Sequence, residues 1–484
     1  MCFSRARARH LLALFLLPGL SGCVATGDTV DGTAACAGVD DLEGTARAEE
    51  LFVSAPRPVP GFPSLATNRV LAGYDPLLLD EQQRAAWLQR LEDAGARRDA
   101  ILREALLRRG IEPPAEADLP SCRAAEPEPE VEPVTTELWQ TLAAATRVPD
   151  DYLGSRRVLG LYPLAALPVR LGINGLQEDI ADTFATPLDA LPRTGKLQRF
   201  APAASLPAEQ PALPAAVYDA LGVRLAAVPD VRLNELFDRH APVLEIDVAG
   251  AFDRPGIPAY DAAGQVTVDA STPRAYRYAR VMPLDGELRL QLVYVFWFAA
   301  RPRRDAFDML GGPLDGLVWR VTLDRSGEPL VYDAIHPCGC YHMLFPSDRL
   351  TLRDAARERP EPPLLPQAAP RLAPDERVVV RLESATHYLQ RVYTDTATVP
   401  AGQRYALHPY RELYSVAAPR GPRSLFGPAG IVPGTQRGER FYLWPMGVRS
   451  PGAMRERGRQ ATAFIGRRHF DDARLLEDLF LLRP

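Results

Sequence analysis

Alternation of apolar and polar positions is most regular in the second half of the chain. Beyond residue 240, apolar runs of strand length follow one another, and the connections Leu284-Asp285-Gly286 and Asp324-Arg325-Ser326-Gly327 consist of turn-forming residues. The predicted strands cover residues 242–247, 274–282, 287–300, 317–323, 330–335, 377–382 and 441–444. Short turns between consecutive strands predict an antiparallel meander.

Two stretches show helical signals instead. Residues 80–109 are predicted to be helical, because apolar residues recur along them and Gly110 followed by Pro113-Pro114 marks a stop. Gly95 in the middle of this stretch predicts a division into a helical hairpin. A last helix is predicted from about Asp471, with Leu475, Leu476, Leu479 and Phe480 on one side.

These patterns predict an α+β fold, in which an antiparallel meander forms the core of the C-terminal half, with peripheral helices and a small helical unit before it. The predicted segments are a signal peptide at 1–22, a membrane tether at 23–50, the helical unit at 51–122, a Pro/Glu-rich linker at 123–134 and the main α+β domain at 135–484. The linker is recognised by composition, since prolines alternate with glutamates in residues 126–130.

Composition narrows the function mainly by exclusion. The net charge of −5 does not provide the basic surface that nucleic-acid binding needs. Lys196 is the only lysine, so neither a phosphate-binding loop with its lysine nor a Ser-x-x-Lys acylation site is present. The run at residues 290–300 is too short for a membrane helix and is predicted to be a buried strand.

The N-terminus has the layout of a secretory signal. Arg5, Arg7 and Arg9 precede an apolar run at residues 11–20, which is too short to span a bilayer. Leu20-Ser21-Gly22-Cys23 follows and resembles the lipobox of bacterial lipoproteins in all four positions. The alternative is an ordinary signal peptide that is cut elsewhere.

The resemblance implies that Cys23 becomes the first residue of the mature protein and carries acyl chains such as palmitate. More than one acyl chain holds a protein on a membrane durably, whereas a single chain binds reversibly. Val24, in place of Asp, implies an outer-membrane location, facing the periplasm or the cell surface. The resemblance covers only the first 23 residues, and the body of the chain resembles no family.

Four cysteines remain after Cys2 is removed with the signal and Cys23 is lipidated. Disulfides persist outside the cytoplasm. Proximity along the chain favours the pairs Cys36–Cys122 and Cys338–Cys340, although four cysteines allow three pairings.

The segment His336-Pro337-Cys338-Gly339-Cys340-Tyr341-His342 directly follows a predicted strand and is the strongest chemical signal in the chain. Four candidate ligands at alternate positions span too great a length in an extended strand to reach one ion. The segment must therefore curl, and Gly339 is predicted to allow it. A single ion then takes some of these groups together with a distant histidine, for which the candidates are His240, His387 and His408.

Three interpretations of this segment stay open. The cysteines form a local disulfide or buried thiols, or thiolate and imidazole bind Zn or Cu, or a strained Cys-x-Cys disulfide acts in redox chemistry. The predicted metal set is His336, Cys338, Cys340, His342 and His240.

Two further polar clusters have both a structural and a functional interpretation. Asp238-Arg239-His240 with Glu245 and Asp247 is either salt-linked or part of a site. A basic run near the C-terminus is either a solvated face or a contact for lipid head groups or lipopolysaccharide; its members are Arg455, Arg457, Arg459, Arg467, Arg468 and His469.

The sequence therefore predicts a cell-envelope lipoprotein of binding or structural type, attached to the membrane through its N-terminal lipid, with envelope proteins or lipopolysaccharide as further contacts. The competing hypothesis is a periplasmic metal-dependent hydrolase or thiol-redox protein that uses His240 and the 336–342 segment. Whether the chain is an enzyme stays open.

The lipobox generates a direct test. Replacing Cys23 with Ser removes the thiol that accepts the lipid, so the Cys23→Ser chain is expected either to leave the membrane fraction or to stay unprocessed. Membrane fractionation and intact mass measure both outcomes. Detergent-free solubility of the unaltered mature chain would contradict the predicted anchor.

Overall fold

The computed structural model describes residues 37–114, 136–207, 210–396 and 403–483. The lipobox with Cys23, both Cys36 and Cys122, and the whole Pro/Glu-rich linker lie outside these ranges. The anchor and the Cys36–Cys122 pairing therefore stay predictions.

The helices of the described ranges are α1 (Ala37–Ala48), α2 (Glu81–Arg108), α3 (Thr136–Ala145), α4 (Gly154–Leu159), α5 (Tyr162–Ala185), α6 (Asp230–His240), α7 (Asp354–Arg357), α8 (Arg440–Leu443) and α9 (Leu475–Leu479). Short 3-10 turns include Ala251–Asp253, Tyr410–Tyr414 and Trp444–Met446. None of these helices is both long enough and apolar enough to cross a bilayer.

The strands of the described ranges are β1 (Arg57–Val59), β2 (Phe62–Thr67), β3 (Lys196–Pro202), β4 (Tyr218–Asp219), β5 (Gly222–Val223), β6 (Val243–Val248), β7 (Ile257–Tyr260), β8 (Val266–Asp269), β9 (Arg274–Leu284), β10 (Glu287–Arg301), β11 (Gly312–Leu323), β12 (Pro329–Ile335), β13 (Met343–Pro346), β14 (Leu350–Leu352), β15 (Arg377–Leu382), β16 (Leu389–Asp395), β17 (Arg404–Pro409) and β18 (Phe480–Leu482).

One large curled sheet organises the molecule. Its strands lie in the order β13-β12-β11-β10-β9-β17-β3-β6-β15-β16, with β5 joined to β10 and β4 to β5, which makes twelve strands. The run from β9 to β12 is the predicted antiparallel meander, and β13, which was not predicted, extends it. The α+β class is confirmed, but the sheet is mixed, because β17 pairs in parallel with β9 and β3, and β15 pairs in parallel with β6.

The two faces of the central strand β10 belong to two different cores. Leu292, Tyr294 and Phe296 pack into one core with α5 and α6. Val295 and Trp297 pack into the other core with α2 and the turn at Tyr410–Tyr414. A strand buried on both faces has a continuous apolar sequence instead of an alternating one, which explains the apolar run at residues 290–300.

The hairpin predicted between β9 and β10 is confirmed. Asp285 and Gly286 both have positive φ, at +58° and +73°. Two consecutive positive φ angles are the requirement of the type I′ turn, which suits the twist of a two-residue hairpin. Asp and Gly are among the residues that accept this conformation at the lowest cost.

The predicted helix at residues 80–109 is also confirmed, as α2. The side chain of Asp80 accepts a hydrogen bond from the backbone N–H of Gln83 at 2.8 Å, and Gln83 Oε1 accepts one from the N–H of Asp80 at 3.1 Å. This reciprocal pair is a capping box, which satisfies two of the free donors at the helix N-terminus.

The predicted break at Gly95 is wrong, because α2 is one continuous helix of 28 residues. A Cβ at Gly95 would lie 1.9 Å from the carbonyl oxygen of Ser64. The glycine therefore lets strand β2 approach the helix backbone closely, and it is buried in the middle of the helix for that reason.

Two other local predictions fail. The predicted strand at residues 441–444 is helical, as α8 followed by the turn Trp444–Met446. Four residues carry too little periodicity to separate the two structures. The C-terminal helix is only the five residues of α9, because the chain then enters β18 and pairs with β14.

The predicted tether contains ordered structure at its end. Helix α1 lies within residues 23–50, and Leu42 and Ala46 join the same core as Ile101 and Leu102 of α2. Both helices share this core with strands of the main sheet.

The packing at Gly95 generates a matched stability test. Gly95→Ala places a methyl group against backbone that cannot move alone, so the free energy of unfolding is expected to fall by about 1–3 kcal/mol. Gly44→Ala in α1 meets nothing within 4 Å and is expected to raise the free energy of unfolding by about 0.5–1 kcal/mol. Denaturant unfolding of both variants measures the difference. Equal effects of the two substitutions would contradict the close approach at Gly95.

Candidate functional site

The segment at residues 336–342 forms a tight turn at the end of β12. The N–H of Gly339 donates to the carbonyl of His336 at 2.8 Å, and the N–H of His336 donates to the carbonyl of Cys340 at 3.0 Å. Gly339 has a φ of +96°, and Tyr341 has a φ of +60°. The predicted curl at Gly339 is confirmed.

The two histidines of the turn contact different carboxylates. His336 Nδ1 lies 3.2 Å from Asp315 Oδ1, and His342 Nε2 lies 3.1 Å from Asp333 Oδ2. Asp333 also accepts a hydrogen bond at 2.8 Å from Arg320 Nε. Each ring is therefore held by a carboxylate of the sheet.

The third predicted histidine lies elsewhere. His240 is at the end of α6, where its Nε2 lies 3.1 Å from the carbonyl of Gly327. Burial, together with the charge of Arg239, lowers the pKa of His240 to about 3. His240 is therefore a neutral interior side chain.

No metal centre is formed in the described ranges. Within them, no group of three or more His, Cys, Asp or Glu side chains is arranged to hold an ion. The predicted set of His336, Cys338, Cys340, His342 and His240 is not brought together as one coordination shell.

Cys338 and Cys340 are free thiols, so the Cys338–Cys340 disulfide that their proximity favoured is not formed. A hydrogen bond between the two side chains lowers the pKa of Cys338, with help from the charge of His336, whereas the same bond and burial raise the pKa of Cys340. Cys338 is buried, and only Cys340 lines a cavity. The thiol with the lower pKa is thus withdrawn from the cavity.

A buried chain of alternating acids and histidines lies behind the turn. His387 Nδ1 is 2.8 Å from Asp315 Oδ2, and His387 Nε2 is 3.4 Å from Asp253 Oδ1. Burial favours the neutral form of Asp315, but the adjacent His336 and His387 outweigh it and hold the pKa of Asp315 well below its usual range. Burial opposes the charge on His387, but Asp253 and Asp315 outweigh it and raise the pKa of His387.

In this acid–histidine network, each buried charge has a partner of opposite charge, which is typical of a structural role. His387 is fully buried and stacks on Phe298, with ring centroids 4.1 Å apart. Buried charges persist when they are paired in this way, and removal of one partner leaves the other uncompensated. None of Asp253, Asp315 and His387 lines the cavity described next.

The cavity has a volume of about 610 Å³ and lies between α5 and the 336–342 turn. That volume is within the range of small-molecule sites. One wall is apolar and comes from α5, at positions with helical spacing: Ala165, Val169, Ile173, Leu176 and Ile180. The polar lining includes Cys340, Tyr341, His342, Tyr388, Glu439 and Arg468.

Two tyrosine hydroxyls at the polar end are held by one arginine. Arg301 Nη1 lies 3.0 Å from the hydroxyl of Tyr388 and 3.4 Å from that of Tyr341. The hydroxyl of Tyr388 also donates to that of Tyr341. The Tyr341 oxygen thus receives two hydrogen bonds, and no described residue accepts the proton of Tyr341.

Glu439 is a carboxyl group in an unusual state. It is buried, and burial raises its pKa to about 7 despite the positive charges of Arg301, Arg437 and Arg455. No hydrogen bond to its carboxyl group is formed within the described ranges. A cavity-facing group with a shifted pKa is a functional-site candidate.

Two other charged residues that line the cavity, Glu361 and Arg468, form hydrogen bonds within the protein. Glu361 Oε2 accepts hydrogen bonds from the backbone N–H groups of Phe464 and Ile465 at 2.8 and 2.9 Å. Arg468 donates to the carbonyl of Glu361 at 3.1 Å. Both side chains are therefore satisfied by the protein itself.

The acidic members of the cluster near residue 240 have separate structural partners. Glu245 lies 2.7 Å from Arg199 Nε and 3.1 Å from Arg381 Nη1. Asp247 accepts hydrogen bonds from the backbone of Thr194 and Gly195. These residues bind strands together and do not form one site with His240.

The basic run near the C-terminus is not a surface patch. Arg455 and Arg468 are buried, and Arg455 donates to the carbonyl of Cys338 at 3.2 Å. His469 is buried as well, whereas Arg467 is exposed. The interpretation of this run as one lipid-binding face therefore finds no support in the fold.

Comparison with protein-family models, curated proteins and solved structures finds no match for this chain. The site must therefore be interpreted from its own geometry. Of the cavity-lining residues, the sequence pointed only to the 336–342 turn and to Arg468. Tyr388 and Glu439, and Arg301 which holds the tyrosine hydroxyls, carried no local signal, but the helical spacing of apolar residues along α5 was visible.

The raised pKa of Glu439 generates a pH test. Between pH 4.5, the ordinary pKa of its carboxyl, and about pH 7, the folded chain keeps a proton that the unfolded chain has released. Folding stability therefore falls as pH rises through this window. The free energy of unfolding is expected to fall by about 3 kcal/mol across this window, because each pKa unit corresponds to about 1.4 kcal/mol.

Glu439→Gln is expected to lose this pH-dependent part, so that the variant gains stability relative to the parent between pH 5 and pH 7.5. Urea unfolding at the two pH values measures it. Glu178→Gln, an exposed position on α5, is the control and is expected to follow the parent. If the stability of the Glu439→Gln chain changed with pH in the same way as that of the parent, the carboxyl group of Glu439 would not be held neutral in the folded protein.

Proposed function

We propose that this protein is a lipid-anchored cell-envelope protein that binds an amphiphilic small molecule in the cavity beneath α5. The apolar part of the ligand lies along α5, and an oxygen-bearing head group lies at Tyr341, Tyr388 and Glu439. The observation that carries the proposal is the cavity of about 610 Å³, with one apolar wall and hydrogen-bonding groups among the other lining residues.

The apolar wall supports binding of a hydrocarbon tail. Val169, Ile173 and Leu176 are only partly buried, although they face the cavity. Covering such surface with apolar atoms is favourable by roughly 25 cal/mol for each Å² removed from water. A ligand with a linear apolar part contacts several turns of the helix at once.

The polar groups determine the chemistry of the head. Tyr341 has a free hydroxyl proton, and its oxygen is polarised by hydrogen bonds from Arg301 and Tyr388. Glu439, whose pKa is raised to about 7, adds a second proton donor below that pH. Both groups therefore favour an acceptor oxygen of a carboxyl, ester or carbonyl group.

The envelope location rests on the Leu20-Ser21-Gly22-Cys23 sequence and its resemblance to a lipobox. A lipid-anchored chain stays close to a source of amphiphilic molecules. The location and the cavity are separate lines of support, because the signal sequence lies outside the described structure.

The metal-dependent hydrolase lacks a group of three or more possible metal ligands in the described ranges, and the thiol-redox alternative has weaker geometric support than ligand binding. A nucleophilic cysteine needs an accessible thiolate and an adjacent base. Cys340 lines the cavity but its pKa is raised, and Cys338 has a lowered pKa but is buried. The two required properties are thus divided between two residues.

Two glycines of α5 provide a matched test of the cavity. A Cβ at Gly172 or at Gly175 meets nothing within 4 Å, but only Gly172 lines the cavity. Gly172→Trp is expected to weaken binding of hexadecanoic acid at least tenfold, because the indole occupies part of the ligand volume. Gly175→Trp is expected to keep the parent affinity. Isothermal titration calorimetry on the full chain measures both.

Tyr341→Phe provides a test of the head-group end with the same ligand. Loss of the hydroxyl is expected to weaken binding about tenfold, which corresponds to about 1.4 kcal/mol. Absence of hexadecanoic acid binding in the parent chain, or an equal loss in the Gly172→Trp and Gly175→Trp variants, would refute the proposal.

A further inference from the structure

Large apolar side chains are exposed on one region of the surface. Nine of the sixteen exposed large hydrophobic side chains in the described ranges lie on α4, α5, α8 and the residues that adjoin them. They are Val158, Leu159, Leu161, Leu164, Leu167, Leu171, Phe441, Tyr442 and Trp444, and we call them the outer face. Contiguous apolar surface on a soluble body marks an interaction site.

The parts of this face are packed together. Ala166 of α5 lies in one apolar cluster with Leu443 and Met446. Arg157 Nε of α4 donates to the carbonyl of Met446 at 2.8 Å. The elements that carry the exposed residues therefore pack against one another.

Helix α5 is apolar on two sides. Val169 and Ile173 point to the cavity, whereas Leu164, Leu167 and Leu171 are between 61% and 73% exposed. A helix that is apolar on two sides needs a second apolar environment beyond the core it covers. Nothing in the described chain covers the exposed leucines.

The two segments that carry the outer face contain arginines and no acid, although the exposed acids Glu178 and Asp182 lie farther along α5 and the exposed Asp150 precedes α4. Residues 154–172 contain Arg156, Arg157 and Arg170 but no Asp or Glu, and residues 440–450 contain Arg440 and Arg449 but no acid. The whole chain, in contrast, has a net charge of −5. The local excess of arginine complements a surface of anionic head groups.

The aromatic side chains fit the same surface. Phe441 is 65% exposed, and Trp444 is 37% exposed. Both line one shallow depression with Arg156, Arg440 and Arg449. Aromatic and leucine side chains beside arginines are the composition of segments that lie in the boundary between head groups and acyl chains.

We infer that the outer face is a membrane-docking surface, and that its occupant is a bilayer with anionic phospholipid head groups. Leucine and aromatic side chains enter the boundary region, and the surrounding arginines contact lipid phosphates. The inference does not depend on which ligand the cavity binds. The anchor proposed at Cys23 is compatible with it, since residues 23–36 precede the described structure.

Photo-cross-linking of the full chain tests the contact directly. The chain is reconstituted in phosphatidylglycerol vesicles in which a fraction of the lipid carries a photoactivatable group in its acyl chain. Lipid adducts are then mapped on peptides by mass spectrometry. Adducts are expected in residues 154–164 and at Phe441 and Trp444, none of which lines the cavity. None are expected at Leu77 and Leu78, which are also exposed leucines.

Two multiple-substitution variants separate the apolar part of the membrane contact from its electrostatic part. Leu164→Ser/Leu167→Ser/Leu171→Ser is expected to lower the adduct yield at residues 440–450 at least fivefold, whereas the control Leu77→Ser/Leu78→Ser leaves it unchanged. Arg170→Gln/Arg449→Gln is expected to lower the yield at least threefold in phosphatidylglycerol and to leave it unchanged in phosphatidylcholine.

Three results would overturn the inference. The first is absence of lipid adducts from residues 154–164, and the second is equal labelling of Leu77 and Leu78. The third is a protein–protein cross-link that joins this face to a second copy of the chain in place of lipid. Because hexadecanoic acid binding is measured separately with Gly172→Trp, failure of membrane docking and failure of cavity binding are distinguishable.

Discussion

The central constraint on this fold is that β10 and its neighbour β11 are buried on both faces. The consecutive residues from Leu288 to Phe298 are all buried. An antiparallel sheet usually leaves one face to solvent, but a strand that is apolar on both faces needs a covering layer on each side. The N-terminal helices provide part of one layer, and α5 with α6 provides part of the other.

This double covering also explains the acid–histidine pairs. Asp315 on β11 and Asp333 on β12 are fully enclosed by the covering layers. Buried carboxylates require charged or hydrogen-bonding partners. His336 and His342 supply them from the turn that ends β12. The histidines of the 336–342 segment therefore serve largely to pair the buried carboxylates at one end of the sheet. From the same segment, Cys340, Tyr341 and His342 line the cavity.

Helix α5 connects the two proposals. Its inner side forms the apolar wall of the cavity, and its outer side carries exposed leucines. A cavity wall that also rests on a bilayer would bring an amphiphilic molecule and its site within one helix diameter, about 10 Å. In the proposed complex, the polar groups at residues 301, 341, 388 and 439 would provide the head-group selectivity that an apolar wall lacks.

The sequence by itself determined the local elements whose signals are strong and short-range. The meander from β9 to β12, the Asp285-Gly286 hairpin, α2 and the curl at Gly339 all follow from apolar periodicity and from residues that accept particular φ angles. The lipobox prediction is of the same local kind. Gly95 shows where this reasoning ends, because the reason for the glycine is the carbonyl of Ser64 and not the helix itself.

Only the tertiary structure decided which distant residues share a site. Arg301, Tyr388 and Glu439 come from separate parts of the chain and meet Tyr341 because the curled sheet and the C-terminal segments fold around one turn. The same packing directed His336 to Asp315 and His342 to Asp333, and it left His240 at the far end of α6. Spacing along a chain determines which side chains share a strand or a helix face, whereas convergence depends on long-range packing that no local pattern encodes.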